Sequence, residues 1–168
     1  MTSNISDLVA QRLDVKDDQL LRMGDALDVK ASIELIVITF LATQTADFLN
    51  NAQIVGLWAW LQLGSAVALI VAGVFALWEL WPRDYEVEAS ESLEGWASEL
   101  CDFYKREADA ELKIAESLHM GRIKRVKERV AANNRVNDWK SRLLMWSFRF
   151  TGAAMIMNLL TLIGQAFR

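Results

Sequence analysis

The sequence predicts an all-α integral membrane protein with three transmembrane helices and a cytoplasmic helical insertion. Of its 168 residues, 53% are apolar and 24% are charged, so the two classes must lie in separate segments. No Asp, Glu, Lys, Arg or His occurs in the 31 residues from Phe48 to Trp78, whereas a bilayer core needs about 20 apolar helical residues. One proline and eight glycines leave few breaks, which favours long helices.

The first 82 residues divide into an N-terminal helical segment, residues 1–30, and a transmembrane hairpin, residues 31–82. The N-terminal segment carries six Asp against four basic residues, and without an apolar core it predicts no cleavable signal peptide. The first span of the hairpin is the weaker one because it contains Glu34. The second span, about 55–80, has tryptophan pairs at both ends, roughly 27 Å apart along a helix, as expected at two membrane interfaces.

Residues 83–142 form a charged insertion in which acidic and basic residues are segregated. Residues 84–116 contain 11 acidic and 3 basic residues, whereas residues 117–142 contain 2 acidic and 8 basic ones. Apolar residues recur near a helical period in both halves, and Gly121 lies between them. We expect an antiparallel helical hairpin with an acidic arm against a basic arm. A single long helix leading toward the third span is the alternative.

The third span, residues 143–168, completes the predicted membrane topology. The turn around Asn50 contains no Lys or Arg, whereas the insertion contains twelve and the N-terminal segment four. Because basic connections stay in the cytoplasm, we expect a cytoplasmic N-terminus, a cytoplasmic insertion and three crossings.

The third span carries a polar stripe on one face. Its members are spaced alternately four and three residues apart: Ser147, Thr151, Ala154, Asn158, Thr161 and Gln165. Such a stripe is expected where a helix lines water or packs against polar partners. The sequence leaves both interpretations open, and a water-lining role requires several copies arranged in a ring.

Three charged residues fall near the cytoplasmic ends of the predicted spans: Glu34, Glu79 and Arg149. Charges inside a membrane usually pair with one another or extend to the headgroups. We expect either an interhelical ion pair among the three or separate contacts with lipid headgroups.

A basic run in the insertion is the candidate nucleotide-binding site. Arg122, Arg125 and Arg129 share a helical face, and the predicted site residues are these three with Asn133 and Arg135. Neutralisation of anionic lipid or of the acidic arm is the alternative role. No phosphate-binding motif is present in the sequence.

No catalytic or metal-ligating constellation can be assembled from the sequence. One His and one Cys exclude a His/Cys metal cluster within one chain. The single histidine, His119, lies between Leu118 and Met120 and has no obvious partner for a Ser/His/Asp triad. We therefore expect no enzymatic activity, no cofactor and no metal. The net charge of −4 predicts no affinity for duplex nucleic acid.

Short motifs give the chain a resemblance to a known family. The element Asp28-Val29-Lys30-Ala31-Ser32 opens the first span, Trp81-Pro82-Arg83 ends the hairpin, and Asn137-Asp138-Trp139-Lys140 approaches the last span. In these motifs and in the order of its parts, the chain resembles the Pycsar-type transmembrane effectors of bacterial anti-phage defence. Asp28 and Lys30 are the candidate family-motif residues.

The resemblance implies a homo-oligomer in the bacterial inner membrane. A nucleotide signal from a partner cyclase or nucleotidyltransferase controls it, and the activated protein disrupts the membrane and arrests growth of the infected cell. Contact with membrane lipid is expected as well. Two other classes stay open at this point: a holin-like phage lysis protein, and a non-conducting membrane scaffold that recruits a cytosolic partner.

Overall fold

Four α-helices make up the described part of the chain. A computed structural model describes residues 2–50, 56–83, 85–86, 90–106 and 109–166, with the side chains of 2–6, 90–94 and 165 left aside. The helices are α1 (Thr2–Asn50), α2 (Leu57–Glu79), α3 (Ser90–Tyr104) and α4 (Ala110–Ala166). Described residues contain no strand, and the all-α prediction is confirmed.

The contacts divide the chain into two compact units. The charged unit comprises residues 1–23 and 84–136, and the apolar unit comprises residues 24–83 and 137–168. Both α1 and α4 contribute residues to each unit. The predicted boundaries at residues 30/31 and 142/143 fall inside these two helices.

The apolar unit is a bundle of α2 with the parts of α1 and α4 that belong to it. Side-chain hydrogen bonds between α1 and α4 join residues 112, 117 and 113 positions apart along the chain. This nearly constant separation means that the two helices run parallel. Ser65 of α2 contacts Ala154, while Ala72, one heptad later, contacts Ser147, so α2 is antiparallel to α4.

Buried positions on α1 and α4 alternate at spacings of three and four residues, the pattern of coiled-coil packing. In the apolar unit the buried α1 positions run from Gly24 to Thr45, and those on α4 run from Asn137 to Thr161. Their apolar members form one cluster with the small residues of α2: Ile38, Leu41, Ala68, Leu69, Ala72, Ala76 and Ala154. The alanines of α2 therefore face α1 and α4 of the same chain.

The charged unit packs the first turns of α1 against the basic half of α4. Leu20, Val126 and Val130 form its buried apolar cluster, with Leu13 beside it. Around this cluster the contacts are polar, and they join aspartates of α1 to side chains of α4.

The expected helical break at Gly121 is wrong, because Gly121 lies inside α4. The alternative of a single long helix leading toward the third span is the one observed. The interhelical connection falls instead between Tyr104 and Ala110. A Cβ on Gly121 would lie 1.9 Å from the Trp96 ring, so the glycine allows the indole of α3 to approach the α4 backbone.

Candidate functional site: the polar interior of the apolar unit

The apolar unit has polar side chains inside and apolar side chains outside. Its buried polar residues come from all three helices: Glu34, Thr45, Gln62, Ser65, Glu79, Asn137, Lys140, Ser147, Thr151, Asn158 and Thr161. Large apolar residues such as Ile36, Phe40, Ile70, Met155 and Ile156 are more than 60% exposed. Water would favour the opposite distribution, whereas lipid tails favour this one. By length and apolarity, α2 and α4 qualify as membrane spans.

A three-helix polar contact lies in the half of this interior where α1 ends and α2 begins. The Asn158 amide donates to Thr45 Oγ1 at 3.0 Å, and Ser65 Oγ lies 3.5 Å from the same hydroxyl. Ser65 also donates to the carbonyl oxygen of Ala154 at 3.3 Å. Each of α1, α2 and α4 therefore contributes one side chain, and the contact fixes their register. Interhelical hydrogen bonds of this kind contribute about 0.6 kcal/mol each in membranes.

The predicted polar stripe lies within this interior. Ser147 donates to the carbonyl oxygen of Ala72 at 3.0 Å, and Thr151 donates to Glu34 at 2.6 Å. Ala154, Asn158 and Thr161 are buried with them, while the side chain of Gln165 lies outside the described residues. Of the two interpretations, packing against polar partners is the one that this conformation exhibits. A water-lining role stays a prediction.

The three charges that the sequence predicts near the cytoplasmic ends have separate surroundings, and no ion pair joins them among the described residues. Glu34 accepts the hydrogen bond from Thr151. Arg149 is exposed, and its guanidinium lies 4.9 Å from the Trp146 ring. Glu79 is fully buried beside Lys140 and Asp28. Two of the charges therefore face the interior, while the third faces outward.

Two of the short motifs meet in this unit. Lys140, only 3% exposed, donates to the Asp28 carboxylate, so the last residue of the Asn137–Lys140 element pairs with the first residue of the Asp28–Ser32 element. The buried ammonium requires such a partner, because an unpaired buried charge is strongly destabilising. Lys30, the other motif residue, is exposed.

Tryptophans lie toward both ends of the bundle, as the sequence predicts. At one end Trp58 of α2 packs against Gly164 of α4, whose Cβ would lie 2.2 Å from the ring. At the other end Trp78 contacts Trp139 edge to face at 5.8 Å, and the Arg83 guanidinium lies 3.3 Å from the Trp139 ring centre. Aromatic rings at both levels are typical of membrane interfaces.

The predicted nucleotide-binding residues belong to the charged unit, where most of them already have protein partners. Arg122 pairs with Asp14 at 2.9 Å and Arg129 with Asp17 at 2.8 Å. The Arg125 guanidinium lies 4.7 Å from the centre of the Trp96 ring. Asn133 is fully buried, and Arg135 is exposed. The basic run therefore neutralises acidic residues, and the aspartates come from α1.

Asn133 uses its whole amide for contacts within the charged unit. Its oxygen accepts from the Glu86 backbone N–H at 3.0 Å, and its nitrogen donates to the Glu86 carbonyl oxygen at 3.2 Å. The same nitrogen lies 3.4 Å from Asp17. Asn133 therefore fixes the segment that follows the bundle, a role that its position in the sequence does not reveal.

Comparison with known proteins identifies the family. The sequence model of the Pycsar effector protein domain matches residues 17–165, which include all of α2 and α3 and most of α1 and α4. The chain belongs to this family. No curated protein and no solved structure matches it. Membership places the chain among the membrane effectors of anti-phage defence, in a family that is not one of enzymes.

Proposed function

We propose that the protein is a multi-pass effector of the bacterial inner membrane that forms a homo-oligomeric pore under the control of a nucleotide signal. The observation that carries the proposal is the polar interior of the apolar unit within a family of membrane effectors. A helical bundle that served only as a membrane anchor could have an interior made entirely of Leu and Ala. Polar groups in a membrane interior are costly and generally serve ion or substrate paths.

Three crossings of the membrane are part of this proposal. Although α1 carries Glu34, this carboxylate faces inward, while Ile33, Ile36 and Phe40 of the same helix are exposed. The parallel course of α1 and α4, with α2 antiparallel, is the order that three successive crossings produce. With a cytoplasmic N-terminus, residues 83–136 then also lie in the cytoplasm, in agreement with their many basic residues.

The described conformation corresponds to a closed state. The stripe residues Ser147, Thr151 and Asn158 are hydrogen-bonded to α1 and α2 and buried within one chain, so they line no open path in this conformation. Opening requires α4 to leave these partners and to present the stripe to neighbouring copies. Since α4 is one helix from Ala110 to Ala166, it carries both the basic run and the stripe.

Nucleotide control acts, in this proposal, through competition with aspartates. A nucleotide phosphate that binds Arg122 or Arg129 must displace Asp14 or Asp17, the carboxylates that now pair with them. The exposed Arg135 supplies a further cation. Loss of the aspartate contacts frees α1 from the basic half of α4. The nucleotide then binds this freed state more tightly than the aspartate-paired state, and such a difference in affinity shifts a conformational equilibrium.

A liposome leakage assay, with and without cyclic nucleotides, tests the pore. The double variant Asn158→Leu/Thr161→Leu removes two polar groups from the stripe and should abolish leakage while assembly persists. Thr43→Val is the matched control, because the exposed Thr43 hydroxyl bonds only its own helix, at Thr39. Leakage by the double variant at the level of the parent protein would refute the water-lining role.

Nucleotide binding is tested on the basic run itself. Arg125→Glu should weaken binding of the activating nucleotide, whereas Lys127→Glu makes the same charge change two residues further along α4, at an exposed position outside the candidate site. Equal affinity in both variants would remove Arg125 from the site and favour contact with anionic lipid.

A non-conducting membrane scaffold is the second candidate. The burial of the stripe within one chain favours it, because a sealed interior needs no aqueous path. A scaffold predicts no leakage under any condition, together with growth arrest that depends on the charged unit.

A further inference from the structure

A cationic pocket lies between α1 and α4 within the apolar unit. It has a volume of about 410 Å³ and is open to the surroundings of the bundle. Two cationic residues and a hydroxyl line it together with apolar side chains: Lys30, Arg149, Ser141, Leu144, Met145 and Phe148. Its lining draws on the two helices that carry the predicted cytoplasmic ends of the first and third spans.

The charge of this pocket is uncompensated by the protein. No carboxylate lines it among the described residues, and Asp28, the nearest acidic residue along α1, accepts its hydrogen bond from Lys140. Arg149 pairs with no carboxylate in the described part of the chain, and its guanidinium lies over the Trp146 ring at 4.9 Å. The two cations of this pocket therefore have no anionic partner among the described residues.

The position and lining of the pocket identify the class of anion. Arg149 lies seven residues beyond Arg142, roughly 10 Å deeper along the helix, and its apolar neighbours Met145 and Phe148 are 43% and 49% exposed. A cation on an outward face near the end of a span extends toward the headgroup phosphates that the membrane supplies. The apolar wall suits an acyl chain, which a soluble nucleotide does not have.

We propose that this pocket binds one anionic phospholipid, with Lys30 and Arg149 holding the headgroup phosphate and Met145 and Phe148 contacting the acyl chain. Basic pockets between transmembrane helices at the cytoplasmic side have this chemistry. The inference rests on the proposed insertion of α1 beside α4 in the membrane, and it is independent of whether the protein conducts.

Lipid retention in nanodiscs tests the site. The full chain, reconstituted in phosphatidylcholine containing a minor fraction of phosphatidylglycerol, is released and its bound lipid is measured by native mass spectrometry. Arg149→Gln and Lys30→Gln should each lower phosphatidylglycerol retention at least fivefold, and Arg149→Lys should restore part of it. Arg142→Gln is the matched control, because it removes the same charge at an exposed site outside the pocket.

Two outcomes would overturn the site. Equal loss of lipid in the Arg149→Gln and Arg142→Gln variants would mean that only general surface charge attracts anionic lipid. Displacement of the lipid by inorganic phosphate or by a cyclic nucleotide would assign the pocket to a soluble phosphate. Leakage measured on the same samples distinguishes failure of the lipid site from failure of the pore. If the Arg149→Gln and Arg142→Gln variants lose lipid equally while leakage persists, only the lipid site is refuted. If lipid retention changes as expected but the protein causes no leakage, only the pore is refuted.

Discussion

Substitution of Gly121 by alanine tests how α3 is attached to α4. A Cβ at this position would lie 1.9 Å from the nearest atom of the Trp96 ring and 2.7 Å from two others. Ordinary contact between carbon atoms begins near 3.5 Å, so the rigid indole must move by about 1.5 Å or leave the α4 surface. Gly152 offers the matched control, because a Cβ there meets nothing within 4 Å and it belongs to the same helix.

The magnitude follows from separating two effects of the substitution. Alanine favours the α4 helix over glycine by about 1 kcal/mol, but this gain is the same whether α3 is docked or not and therefore cancels from docking. Overpacking costs typically about 1–3 kcal/mol, and only the docked state bears it. Undocking of α3 should thus become roughly five- to 150-fold more favourable.

Hydrogen exchange of the α3 backbone amides, measured in detergent or nanodiscs, reads this equilibrium directly. Gly121→Ala should accelerate exchange across 95–104 by the factor above, and Gly152→Ala should leave it unchanged. In a Trp96→Ala background the same substitution should have no further effect, because the clash is gone. Identical exchange in the Gly121→Ala and Gly152→Ala proteins would refute the reasoning.

Three further predictions concern the other contacts of the bundle and the charged unit. Gly164→Ala should loosen the α2 terminus, because its Cβ would lie 2.2 Å from the Trp58 ring; faster exchange at residues 57–60 measures this. Asp28→Asn should lower the free energy of unfolding by about 1.5–3 kcal/mol, because the buried Lys140 loses the hydrogen bond to this carboxylate while Glu79 stays beside it; unfolding in mixed micelles measures this, and a loss below 1 kcal/mol would contradict it. Asp14→Asn should cost less than about 1 kcal/mol by the same measurement, because its arginine partner is half exposed.

Much of the membrane region can be predicted from the sequence because its signals are local. The uncharged run from Phe48 to Trp78 contains all but the last residue of α2, and the spacing of the stripe residues does identify one face of α4. The residues that this face contacts cannot be predicted in the same way, because they belong to helices that are distant in the sequence. The stripe continues, at the same alternation of three and four residues, through Lys140 and Asn137, and α1 carries a matching series that includes Glu34 and Thr45.

The contacts of the charged unit are harder to predict from the sequence, because they join distant segments. Segregation of charge within residues 84–142 favours pairing between neighbours in sequence, yet the arginines pair with Asp14 and Asp17, more than 100 residues earlier. A glycine at position 121 predicts a helix end, because glycine often ends helices. Within α4 it serves instead as the contact point for Trp96, and a lone glycine in a sequence does not distinguish these roles.

The hydrogen bonds of the stripe set a bound on the signal that the proposed pore needs. Opening breaks at least the three interhelical hydrogen bonds that stripe side chains donate, from Ser147 to Ala72, from Thr151 to Glu34 and from Asn158 to Thr45. At about 0.6–1.7 kcal/mol each, their loss costs roughly 2–5 kcal/mol unless water or neighbouring copies replace them. A nucleotide that opens the pore must therefore bind the open state about 30- to 4,000-fold more tightly than the closed one. In this proposal opening also breaks the Arg122–Asp14 and Arg129–Asp17 pairs. The contacts of the phosphate with these arginines must therefore replace both pairs and exceed them by the free energy of the stripe hydrogen bonds.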